Sequence, residues 1–223
     1  MTVSAVVPVL NDGEALVRLL ADLRGAPDLE VVVVDGGSED DSVDAARCAD
    51  VVVTSAPGRG RQLHAGVDRA SGDWLWFLHA DSRVSGAVLG ALDDCLTNPG
   101  WGFCRVRLDG TGWPLRMVET AMNWRSGITG IATGDQGIFA HRRLLEAIGG
   151  VPALPLMEDI ECCRRLRRLA RPRRVGPPLV TSARRWQRDG TMSTVLLMWW
   201  LRMRYWAGAD AFELARRYYA NVR

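Results

Sequence analysis

Four short apolar runs in the first eighty residues, at 5–10, 30–35, 51–54 and 74–78, are separated by stretches of helical period at 14–23, 41–48 and 61–70. That alternation constrains the fold most, because parallel strands need helical crossovers and those helices cover both faces of the sheet. Val31, Val32, Val33 and Val34 are consecutive, as are Val51, Val52 and Val53. Strands apolar at every position are strands buried on both sides. No Gly-x-Gly-x-x-Gly follows the first strand, so a dinucleotide-binding Rossmann domain loses its main support. The expected class is α/β, with a mostly parallel sheet flanked by helices.

Beyond residue 100 the pattern loosens. A strand is expected at 101–108, a helix around 114–125, then a glycine-rich stretch at 127–137 of the kind that walls a binding cleft. A further helix is expected at 158–170, carrying Arg164, Arg165, Arg167 and Arg168, and two more at 191–205 and 209–219. With 223 residues and no linker or repeat, one domain is expected: a first half at about 1–100, a second at about 101–190, and C-terminal helices at 191–223.

The formal charge is +2, and all 28 basic side chains are arginine. Lysine Schiff-base chemistry and the phosphate loop ending in Gly-Lys are excluded, and no whole-molecule field argues for nucleic acid. Five cysteines form no Cys-x-x-Cys pair, which speaks against a zinc cage or a disulfide framework and for a reducing cytoplasm. The amino-terminal residues lack signal-peptide features and read as a first strand. The apolar run at 195–201 is interrupted by Arg202 and Arg204, too short to span a bilayer. Trp199, Trp200 and Trp206 with flanking arginines suit either packing on the core or an interfacial helix. Peripheral membrane contact and pairing of two chains through these helices are both left open.

Three segments carry candidate chemistry. The strand at 74–78 runs through His79 and Ala80 to Asp81, a carboxylate at the end of a buried parallel strand, where open α/β sheets place their ligands; helix capping is the plainer alternative. Asp35 closes the second strand and is followed by Gly36, Gly37 and Ser38, where glycine lets backbone approach a ligand and the carboxylate can accept from a base or ribose. Arg59 and Arg61 begin a helix, where guanidinium forks and free amides suit a diphosphate.

In order, Val6-Val7-Pro8-Val9-Leu10-Asn11-Asp12, Val34-Asp35-Gly36-Gly37-Ser38, Arg61-Gln62 leading to Gly72-Asp73 and His79-Ala80-Asp81, then Gly134-Asp135-Gln136-Gly137 and Glu158-Asp159, resemble family 2 glycosyltransferases with the GT-A fold over about residues 3–190. The likeness is closest to a small bacterial branch, the radical-SAM/selenodomain-associated transferases. It implies a GT-A-like sheet with a Rossmann-like nucleotide half, a nucleoside diphosphate sugar as donor and a divalent cation, Mn2+ or Mg2+. Pro8, Asn11, Asp35 and Gly36 would contact the nucleotide, Arg61 would lie near the diphosphate and Asp81 would hold the metal. His79 departs from the Asp-x-Asp pattern at its first position and is expected on the donor.

Transfer to an acceptor hydroxyl passes through an oxocarbenium-like state, so the leaving group must be neutralised and the hydroxyl proton removed. The resemblance puts the general base of an inverting enzyme at Asp159, with Glu158 beside it; acids at a helix start also simply complement its dipole. Asp135 and Gln136 are expected toward the sugar and acceptor, as are Arg185 and Trp186, whose pairing suits stacking and diphosphate clamping. The alternatives are a nucleotidyltransferase, a non-catalytic nucleotide-sugar-binding module, and an RNA-binding protein using the local arginines.

Overall fold

The computed structural model describes residues 2–26 and 28–222, with side chains through Tyr218. Its first half alternates β1 (Val3–Val9), α1 (Gly13–Leu23), β2 (Leu29–Asp35), α2 (Ser42–Ala46), β3 (Val51–Thr54), α3 (Arg59–Arg69), β4 (Trp74–Phe77) and α4 (Gly86–Cys95). The second half holds β5 (Trp101–Leu108), α5 (Trp113–Thr129), β6 (Phe139–His141), α6 (Arg142–Ala147), α7 (Glu158–Leu166), β7 (Arg173–Thr181), α8 (Arg184–Arg188), α9 (Thr191–Trp206) and α10 (Ala211–Val222). One sheet takes the order β3-β2-β1-β4-β6-β5-β7. All pairings are parallel except those of β6, which runs against both β4 and β5.

The valine run of β2 is buried on both faces, whereas β3, expected to be buried likewise, is the edge strand of the sheet and leaves Val52 46 % exposed; the alternation along β1 and β4 divides the core in two. Ala5, Val7 and Val9 pack with Leu16, Leu19, Trp74 and Trp76 on one face. Val6, Leu75 and Phe77 pack with Leu63 and Trp101 on the other. Helix α3 lies so close to the sheet that a Cβ on Gly66 would stand 2.4 Å from Val6 Cγ1; only glycine fits that contact.

Because β6 pairs with β5 only at Trp101 and Gly102, the rest of that β5 edge needs other partners. Helix α5 supplies them. Asn123 Oδ1 accepts from the Val106 N–H and Asn123 Nδ2 donates to the Val106 carbonyl, both at 2.9 Å, while Glu119 accepts from the Leu108 N–H.

The short helices α6 and α8 were not expected from the sequence. Helix α9 packs Leu197, Met198, Leu201 and Tyr205 into the core, yet its opposite side is exposed. Among the described residues no helix is long and apolar enough to cross a membrane.

Candidate functional site

The parallel strands β1, β2 and β4 end on one rim. There Asn11, in the left-handed conformation at φ 53°, one that asparagine tolerates better than most side chains, joins two loops. Its N–H donates to Ser38 Oγ at 2.9 Å and its Oδ1 accepts from the Glu39 N–H at 2.8 Å. Asp35 is buried and closes its own turn, accepting from the N–H groups of Gly37 at 2.9 Å and Ser38 at 3.2 Å. Pro8 is partly buried in β1, in register with Val34. The buried Gln62 donates to the carbonyls of Val9 at 2.8 Å and Val34 at 2.9 Å. It also lies against Gly36, where a Cβ would stand 3.0 Å from Gln62 Nε2. Gln62 thus fixes the spacing of two loops at once, a role its position in the sequence did not announce.

A charged cluster occupies the neighbouring part of the rim. Arg59, not Arg61, enters it: Arg59 Nε is 3.3 Å from Glu158 Oε1 and has no hydrogen-bond partner, whereas Arg61 is exposed on the first turn of α3. Burial works against the Arg59 charge, but Glu158, Asp159 and Asp135 together hold its pKa above the usual value. Burial pushes the Glu158 carboxyl upward despite that partner. Glu158 is therefore a buried clasp for Arg59, its side chain 5 % exposed. Met157, at φ 67°, turns the chain into α7; a left-handed bulky residue is the kind of backbone strain that concentrates at functional sites.

Asp159 is held in place, its Oδ2 accepting from the Gly134 N–H at 2.8 Å. His79 Nδ1 is 3.9 Å from Asp135 Oδ1, and its Nε2 is buried without a partner. Burial and the nearby Arg59 depress the His79 pKa to about 4, so the ring is neutral at pH 7. Asp81 is raised to about 6, first by burial and then by Asp135 and Asp12, against the opposing charge of Arg184. It touches the chain through Thr181 Oγ1, 3.5 Å from Asp81 Oδ1. Arg184 in turn bridges to Asp12 at 2.7 Å, tying α8 to the loop after β1.

On the expected acceptor side only Asp135 belongs to this cluster. Gln136 is fully buried, donating to Ser126 Oγ at 2.9 Å and completing a reciprocal cap with Thr133; it supports the turn and does not reach the rim. Trp186 packs against Leu108, Leu115 and Ala183 as an anchor for α8. Arg185 hydrogen-bonds the Tyr218 hydroxyl and lies 4.7 Å over its ring.

The donor set suits a cation completed by a ligand more than a closed cage. Among the described residues no group of three or more His, Cys, Asp or Glu side chains could enclose a metal. Asp81, however, sits among carboxylates that raise its pKa, and divalent cations of this kind commonly take one or two carboxylates plus phosphate oxygens and water.

Residues 4–97 match the family described as glycosyl transferase family 2. An uncharacterized glycosyltransferase of Mycobacterium tuberculosis is 35% identical over 123 residues, covering 49% of this chain and 47% of its own length. The chain thus spans about half the length of that relative. Among solved structures, the Pyrobaculum calidifontis mannosyltransferase with GDP-Man and Mn2+ aligns at TM-score 0.59 and 22% identity, covering 81% of this chain and 56% of that one. The Mycobacterium tuberculosis glucosyl-3-phosphoglycerate synthase with Mn2+, UDP and glucosyl-3-phosphoglycerate aligns at 0.60 and 23%, covering 86% and 76%. Residues 4–97 are thus similar to glycosyl transferase family 2, and the sheet that carries them has the GT-A fold.

Proposed function

We propose that this protein is an inverting, cation-dependent glycosyltransferase that moves a sugar from a nucleoside diphosphate to an acceptor hydroxyl. The observation that carries the reading is the gathering of Asp81, Asp135, Asp159, His79 and Arg59 at the rim of the matched segment. Asn11, Asp35 and Gly36, with Pro8 behind them, form the nucleotide end. Arg59, from within the cluster, would offer its guanidinium to a diphosphate, with Arg61 exposed beside it on the first turn of α3. Asp81 would hold Mn2+ or Mg2+, which when bound supplies positive charge against the leaving diphosphate.

The acceptor oxygen forms a bond to the anomeric carbon as the carbon–oxygen bond to the diphosphate breaks, its electron pair leaving with the nucleoside diphosphate. The hydroxyl proton passes to Asp159, whose carboxylate is aimed by the Gly134 amide. Neutral His79 can hydrogen-bond the donor without adding charge. A cytoplasmic site of action belongs to the same reading and is supported by five free thiols.

Nucleoside diphosphate release, followed with a panel of nucleotide sugars while Mn2+ is titrated, tests this. Cation-dependent release of a diphosphate supports it; release of a pyrophosphate or monophosphate points to nucleotidyl transfer, and tight donor binding without release to a binding module.

A further inference from the structure

Helices α5 and α9 each present a long apolar stripe to the outside. On α5 it runs through Trp113, Met117, Trp124 and Ile128, at spacings of i, i+4, i+11 and i+15; on α9 through Met192, Leu196, Trp199, Met203 and Trp206, at i, i+4, i+7, i+11 and i+14. These positions fall on one side of each helix, and all nine side chains are 61–74 % exposed. The helices touch, Val195 of α9 packing with Leu115, Val118 and Met122 of α5. Helix α9 is thus apolar on its packed side and on its outer side. A helix of that composition is ordinarily enclosed all round, and contiguous exposed apolar surface of this kind marks a contact site.

The chemistry around the stripe identifies what covers it. Trp124 and Ile128 also border an open groove of about 770 Å³ lined by Arg105, Arg107, Arg116 and Arg174. Its one carboxylate, Glu119, is taken up by Arg116 at 2.9 Å and by the Leu108 amide. On α9 there is no acidic residue, and Arg204 lies 5.9 Å over the Trp200 ring. Tryptophan and methionine flanked by uncompensated arginine match the boundary between lipid headgroups and acyl chains. A second copy of this chain meets the surface poorly, because a two-fold interface would set each arginine fringe against a like fringe.

We propose that the α5–α9 surface docks on a bilayer containing anionic phospholipid, with the apolar stripes in the interface and the Arg105–Arg107 groove on lipid phosphates. The proposal is independent of sugar transfer. It would place an enzyme of this kind beside acceptors held in the membrane.

Co-sedimentation of the full chain with phosphatidylcholine vesicles, and with vesicles that include phosphatidylglycerol, tests it. Binding is expected to be strong on the anionic vesicles and to weaken with salt. Trp199→Ser with Met203→Ser should lower partitioning at least tenfold on both kinds of vesicle. Arg105→Gln with Arg107→Gln should lower it roughly 25-fold on anionic vesicles alone, at about fivefold per arginine. Both pairs are exposed, so thermal unfolding should stay where the unaltered chain has it. An Asp81→Ala chain should sediment like the unaltered one, which separates failure here from failure of the sugar-transfer reading. No sedimentation with anionic vesicles overturns the proposal. So does a dimer in light scattering that the Trp199→Ser, Met203→Ser change dissolves while vesicle binding is unaffected.

Discussion

Arg59 occupies space that Gly134 leaves open: a Cβ on Gly134 would stand 1.5 Å from Arg59 Nη2 and 2.3 Å from its Cζ. The same glycine donates its N–H to Asp159, so one residue without a side chain positions the cluster's central cation and aims its carboxylate.

Gly134→Ala should therefore evict the guanidinium while sparing the fold, because what must move is the far end of a flexible side chain. Glu158, already inclined to hold a proton by its burial, can neutralise once Arg59 leaves. The expected cost in stability is about 1 kcal/mol, against a loss of roughly 100-fold or more in turnover. Chemical unfolding and initial-rate measurements on the same preparation check this; a variant with full activity would show that Arg59 has no part in the reaction.

Asp159→Asn keeps the shape of the side chain and an oxygen for the Gly134 amide, and removes the capacity to take a proton together with one of the three negative charges around Arg59. Turnover should fall by about 10²–10⁴, while donor affinity stays within roughly threefold. Calorimetric titration of the donor alongside nucleoside diphosphate release separates the two quantities. A matching loss of donor affinity would move Asp159 from proton acceptor to donor ligand.

How much of this was readable in the sequence differs between the halves for physical reasons. Strands β1 to β4 announce themselves because short apolar runs alternate there with helical stretches, although β3 turns out to be an edge strand with Val52 exposed. Strand β6 has three residues, and its reversed direction is set by partners far along the chain. Strand β7 carries Pro177 and Pro178, which a central strand would not hold; as the edge strand beside a register shift at Cys104/Arg105 it tolerates them. In the site, carboxylates at strand and helix ends were readable as motifs. The choice between Arg59 and Arg61 was not, because it depends on how α3 docks: Gly60 lies so close to the 152–154 loop that a Cβ would meet Leu154 O at 2.5 Å. Exposure of the outer faces of α5 and α9 is likewise a tertiary result, since apolar helices at those spacings ordinarily pack.

Gln62→Leu should destabilise the chain more than a surface change would. The carbonyls of Val9 and Val34 lose a shared donor in a buried place, Val9 keeping the Gly36 N–H at 2.9 Å, and each hydrogen bond lost costs about 0.5–1.5 kcal/mol. Loss of roughly 2 kcal/mol in urea unfolding is expected, together with weaker donor binding, since both loops it spaces belong to the nucleotide end. Gln62→Leu with unchanged stability would mean the loops hold themselves.

Glu161 gives a pH dependence with a definite sign. It accepts from Arg164 at 2.7 and 2.8 Å, from Arg165 at 2.7 Å and from the Tyr205 hydroxyl at 3.2 Å, joining α7 to α9. The hydrogen bonds from Arg164, outweighing burial, and those from Arg165 lower its pKa from 4.5 to about 2. A carboxylate depressed on folding adds stability that is complete above its unfolded value and disappears as pH falls from about 4.5 to about 2. With Arg164 half exposed, the contribution at pH 7 is discounted to about 1–2 kcal/mol. Glu161→Gln should thus be less stable by that amount at pH 7 and converge with the unaltered chain toward pH 2. Urea unfolding of both chains across that range measures it, and a gap that stays constant with pH would show that Glu161 acts through packing and not through its charge.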